Sequence, residues 1–137
     1  MDKKRILSKI DEIDSYLSEL DEIRPANLEE YKNSIEKKRA CERLFQILIE
    51  TVIDICNIII SDLKLGLPSE EEEIFEKLRK KEIITKKTTD ILKGMKGMRN
   101  ILVHKYGVVE DEIIFETIRE NLNDFETFKE EILNFLR

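Results

Sequence analysis

At 137 residues the chain has the length of one domain and too little for two separate cores, and its 41% apolar content can fill one core without disulfide or metal staples. Charged residues make up 39% while Gly (4) and Pro (2) are scarce, which suits long helices with few turns and excludes a low-complexity or disulfide-built chain. The formal charge of −6 argues against a protein that coats nucleic acid indiscriminately.

Ile6, Ile10, Ile13, Leu17 and Leu20 step by three and four, so an amphipathic helix is predicted over about residues 2–22. Arg24-Pro25 ends it, because the residue before a proline is pushed out of the helical region. From Leu28 to about Lys64 the pattern stays helical, opened by Asn27 as N-cap and stopped by Gly66-Leu67-Pro68. This central helix is apolar on most sides in its second half, as expected of an element surrounded by others. Ser69-Glu70-Glu71-Glu72 reads as a capping box, with Glu72 reaching back, and starts a short third helix that runs to about Lys81. Thr85 can cap a fourth helix whose buried face is Ile91, Leu92, Met95, Met98 and Leu102, with Gly107 as its terminator. The last helix, from about Glu110 to Leu136, carries Ile114, Ile118, Leu122, Phe125, Phe128, Ile132 and Phe135 on one side.

Four main helices and one short one, joined by short connections, define an all-α antiparallel bundle in one domain over 1–137. The charged start, Met1-Asp2-Lys3-Lys4-Arg5, is no signal peptide. The most apolar stretch, Leu44 to Ile60, is interrupted by Gln46, Glu50, Asp54 and Asn57 and so is not a clean apolar run across a bilayer. The expectation is a cytoplasmic protein without membrane contact. Cys41 and Cys56 lie roughly 22 Å apart along one helix at 1.5 Å per residue, too far to pair, and read as buried, reduced thiols. With two Cys and one His, no zinc-type metal site can be assembled within one chain.

Charge is unevenly spread. Between Lys77 and Lys105 ten Lys/Arg meet only Glu82 and Asp90, so that segment is net +8 and the remainder net −14. A basic region on an acidic body suits one anionic ligand held in one place, although solvated helix faces account for it equally well.

The fourth helix ends in Met98-Arg99-Asn100-Ile101-Leu102-Val103-His104-Lys105-Tyr106-Gly107. Asn100 and His104 are four apart and share a face, and the long Arg99 side chain can reach the same spot. A histidine whose ordinary pKa is about 6.5 serves as acid or base, and a guanidinium matches two phosphate oxygens at once. Lys93, Lys96 and Lys105 flank the motif as candidate phosphate contacts, or as ordinary solvated lysines. On the central helix Glu50 and Asp54 continue a polar stripe with Arg43, Gln46, Asn57 and Ser61; this is the wet edge of the helix, or else Glu50 orients Arg99 or His104, or lines a dimer seam. Tyr106 is either a reachable hydroxyl or an amphipathic ring sealing the end of the bundle.

The string Arg-Asn-x-x-x-His-x-Tyr, formed by Arg99, Asn100, His104 and Tyr106, resembles the signature of the HEPN superfamily, in particular its HepT-like toxin branch. Arg43 to Glu50, followed by Asp54-Ile55, is similar to the second long helix of that branch. The resemblance implies a metal-independent endoribonuclease with Arg99 and His104 as its catalytic pair and Asn100 in support, without a cofactor. It also implies a cognate minimal nucleotidyltransferase antitoxin that silences the toxin by placing AMP on Tyr106. One chain holds one His, so a two-histidine reaction calls for a homodimer with a composite site on its two-fold axis. The alternative is a non-catalytic helical dimer that binds a nucleotidyltransferase or a nucleotide, a reading to which the acidic net charge inclines.

Overall fold

The computed structural model describes residues 1–104 and 111–137, and of residue 104 the backbone alone. Among the described residues the elements are α1 (Lys3–Ile23), α2 (Leu28–Asn33), α3 (Ile35–Asp62), α4 (Glu71–Lys80), α5 (Lys86–His104) and α6 (Asp111–Leu136), an all-α antiparallel bundle. The expected terminator Gly107 lies outside the described residues.

Each boundary has a local cause. Asp2 accepts from the Arg5 N–H at 3.2 Å to open α1, and Arg24, with ψ 125°, leaves the helix ahead of Pro25. Asn27 caps α2 through the Glu30 N–H at 2.8 Å, while Glu30 reaches back to the Ala26 N–H at 3.0 Å.

The central helix is not the continuous element that the 28–64 periodicity predicts. Ser34 is extended, at φ −117° and ψ 102°; it closes α2 with its N–H and opens α3 by accepting from the Lys37 N–H at 3.2 Å. Asn33-Ser34 is a pair whose side chains compete for backbone partners, so the chain bends there at little cost. The bend lets Tyr31 turn inward onto Phe115 of α6, ring centroids 5.6 Å apart. Six helices result where five are expected, because hydrophobic periodicity runs through a one-residue break unnoticed.

The capping box at α4 is displaced by one residue from the predicted one. Glu70 is the N-cap without a side-chain bond, and Glu73, not Glu72, accepts from the Ser69 N–H and hydroxyl at 3.0 and 2.8 Å. Glu71 and Glu72 are thereby released from capping, and their carboxylates point elsewhere.

The core is one cluster drawn from all six helices, with α3 at its centre. Phe45 of α3 meets Phe125 of α6 edge-on at 6.1 Å, and Cys41 and Cys56 are buried free thiols. Burial pushes the Cys41 thiol up to about 11 and Cys56 further, which keeps both uncharged. Among the described residues α3 is the one helix long and apolar enough to cross a membrane, so its interrupting polar residues do not decide the matter as the sequence suggests. What places it is packing: 56% of its most apolar window is buried inside the bundle.

α1 runs antiparallel to α3, tied by Asp2 to Asp62 at one end and by Lys9 to Asp54 at 3.5 Å further along. α4 and α5 form an antiparallel helical hairpin over α3, and this pair carries the site.

Candidate active site

Two features bring the polar residues of α5 to one edge. The helix starts at Thr85, whose Oγ1 accepts from the Thr88 N–H at 3.1 Å, and Glu131 of α6 accepts from the Thr85 N–H at 2.7 Å and from the Thr88 hydroxyl. Leu92 and Met95 anchor one face in the core, with Ile91, Met98 and Leu102 packed against it. With start and rotation set, Lys93, Lys96 and Arg99 fall three apart on the face toward α4, while Ile101 and Val103, 38% and 42% exposed, lie on the open side of the last turns.

The cations do not stand free. Lys93 donates to Glu76 at 2.7 Å, Lys96 lies 3.6 Å from Glu72, and the Arg99 Nη2 donates to Glu71. Three α4 carboxylates thus face three α5 cations in an antiparallel ladder. Glu76 also accepts from the Arg79 Nε at 2.8 Å, and the two cations hold its carboxyl down at about 2, with Lys93 the larger cause. The Arg99 side chain is 14% exposed, and among the described residues its buried Nε meets no acceptor. The guanidinium is thus bound at one corner and keeps a donor for a further acceptor.

Of the sequence-predicted residues, α5 brings Lys93, Lys96, Arg99 and Asn100 onto its last three turns, with the backbone of His104 as its last residue. Tyr106, Lys105 and the His104 side chain lie outside the described residues. Glu50 does not orient Arg99: it accepts from the Gln46 Nε2 at 3.0 Å, one turn back on α3, and the carboxylate on Arg99 is Glu71. Asp54 pairs with Lys9 of α1 at 3.5 Å, as a wet helix edge does.

Sequence reasoning missed Glu71, Glu72 and Glu76 as parts of the site. The available signal was the acidic run Glu70 to Glu73 placed before an equally dense basic run, with a short connection between them that folds one onto the other. A cleft of about 920 Å³ lies at the opposite end of α5, lined by Arg79, Lys86, Glu131 and Phe135 among others. There Glu131 already occupies the amide position that an anion would take at the start of α5.

A helical bundle that ends its fifth helix in this Arg-Asn-x-x-x-His arrangement falls among HEPN proteins by its likeness to solved structures. The chain superposes with a TM-score of 0.90 and 28% identity on a tri-AMPylated HEPN toxin of Shewanella oneidensis solved in complex with MNT antitoxin, covering 98% of this chain and 99% of that one. A toxin–antitoxin structure with AMP-PNP gives a TM-score of 0.87 at 28% identity, covering 94% and 97%. The family model described as ribonuclease HepT-like matches residues 7–132, and the chain belongs to that family. Among its relatives, the tRNA nuclease HepT of Aphanizomenon flos-aquae is 30% identical over 96% of this chain and 89% of that protein. The mRNA nuclease HepT of Shewanella oneidensis is 38% identical over 58% and 59%.

Proposed function

We propose that the chain is the ribonuclease toxin of a toxin–antitoxin pair, acting in the cytoplasm as a metal-independent endoribonuclease with Arg99 and His104 as its reacting groups. The observation that carries the reading is the placement of Arg99 and of the His104 backbone on the last turns of α5 in a HepT-like chain. Cleavage by the RNA's own 2′-hydroxyl needs a base for that proton, an acid for the leaving 5′-oxygen, and positive charge where the phosphorane develops. His104 takes or gives the proton, Arg99 holds the phosphate oxygens, Asn100 supports them, and Lys93, Lys96 and Lys105 meet neighbouring phosphates.

Acid and base together call for two histidines, so the working unit is a homodimer that joins two α5 ends in one cleft. The exposed Ile101 and Val103 beside the motif supply the apolar area for that contact. A cognate minimal nucleotidyltransferase silences the toxin by adding AMP to Tyr106, two residues past His104, where the added phosphate competes for Arg99. The likeness to a tri-AMPylated toxin held by MNT antitoxin supports this part of the reading.

The test is incubation of the purified dimer, shown by mass to carry no AMP, with cellular RNA and tRNA in EDTA, beside Arg99→Ala and His104→Ala. The expected result is cleavage leaving 2′,3′-cyclic phosphate ends, reduced by about 10²–10⁴ in the His104 variant and lost in the Arg99 variant. Intact RNA with the unmodified wild type would overturn the nuclease and leave a nucleotidyltransferase-binding dimer.

A further inference from the structure

The ladder between α4 and α5 occupies the groups that a phosphodiester would need. Each cation on the α4 side of the motif helix is met by one carboxylate: Arg99 by Glu71, Lys96 by Glu72 and Lys93 by Glu76. The Glu71 Oε2 accepts from the Arg99 Nη2 as a phosphate oxygen would, so one carboxylate oxygen stands where a phosphate oxygen would stand.

Two further observations concern how firmly Arg99 is held. Among the described residues its buried Nε meets no acceptor, so the docked guanidinium keeps a donor that a phosphate oxygen could take up. Glu71 is 45% exposed at the first helical residue of α4 and takes no part in the cap that Glu73 makes with Ser69, so water and salt compete for its side of the contact. The contact joins a nearly covered arginine to a carboxylate that can leave without disturbing the core.

We infer that the acidic edge of α4 is a built-in phosphate mimic that latches Arg99 in a resting position, and that RNA must displace Glu71 to engage it. The inference rests on Arg99 as the phosphate-binding group of the proposed nuclease. It assigns Glu71 an inhibitory role, the opposite of a carboxylate that positions a catalytic arginine. Removing the carboxylate charge therefore strengthens RNA binding through Arg99.

The experiment is a double-mutant cycle on the full-length protein, with wild type, Glu71→Gln, Arg99→Ala and the double variant. Each is titrated with a fluorescent single-stranded 2′-O-methyl RNA, which lacks the attacking hydroxyl and so reports binding alone. Glu71→Gln is expected to bind on the order of three- to tenfold more tightly, as fits loss of one half-exposed ion pair. That gain should vanish in the Arg99→Ala background. Equal or weaker binding by Glu71→Gln would overturn the latch, as would a gain undiminished without Arg99, which would mark a diffuse charge effect. Cleavage of unmethylated RNA is read in parallel: cleavage by wild type with no coupling in the cycle sinks the latch alone. Coupling in the cycle with no cleavage sinks the nuclease and leaves the latch standing.

Discussion

Glu76 shows how much a single side chain does in this site. It accepts from Lys93 of α5 and from Arg79 of its own helix, and these bonds lower its carboxyl from an ordinary 4.5 to about 2. A group whose pKa is lower in the folded than in the unfolded state stabilises the fold above its unfolded value, and that contribution is lost as pH falls through the folded one. The fold should therefore lose stability as pH drops from about 4.5 to about 2, and Glu76→Gln should flatten that part of the profile. Urea unfolding of both proteins at several acid pH values checks it; an unchanged slope in the variant would show that the bond to Lys93 does not hold in solution. Arg99, one turn beyond Lys96 at the same seam, differs in that its buried Nε meets no acceptor among the described residues.

Among the elements, α5 depends most on its neighbours, because its start is held from outside. Glu131 of α6 takes up the Thr85 N–H and the Thr88 hydroxyl, so a carboxylate forty-six residues away in sequence caps the helix that carries the motif. Glu131→Ala should cost about 1 kcal/mol, the usual effect of losing a helix cap, read as a lower midpoint in thermal unfolding. A larger loss, with reduced RNA cleavage, would mean that the cap also sets the rotation of Arg99. At two helix ends the chain uses a side chain where glycine fits better. Lys64, after α3, and Glu82, after α4, sit at φ 54° and 57°, while the Leu65 and Ile83 N–H groups close the final turns at 3.0 Å each. Glu82→Gly should gain up to about 1 kcal/mol, seen as a raised Tm.

At the scale of the molecule, the proposed reaction calls for a second copy. Lys93, Lys96 and Arg99 of α5 are each met by a carboxylate of α4, and the motif supplies a single histidine, so one chain does not furnish the acid–base pair that the proposed reaction uses. Val103 is exposed beside the motif, and in the proposed dimer it lies at the contact between the two copies. Val103→Asp should convert the dimer to monomer in light scattering and remove RNA cleavage, while costing the fold of the single chain no more than about 0.5 kcal/mol, as for a surface change. A dimer that survives this substitution would place the two-fold axis on another face.

Sequence alone determined the helices, their order and the helix that bears the motif, because the spacing of Ile, Leu and Phe is a local consequence of 3.6 residues per turn. It also singled out Arg99, Asn100 and His104, since residues four apart on a helix share a face whatever surrounds them. Tertiary structure alone decided the rest. At the break at Ser34 Tyr31 meets Phe115, and periodicity carries no record of a partner eighty-four residues away. The cap on α5 comes from Glu131, and the acids on Lys93, Lys96 and Arg99 come from α4. Charge patterns announce that such pairs can form, but Coulomb attraction has no direction along the chain, and only the packing of two helices chooses which carboxylate meets which cation.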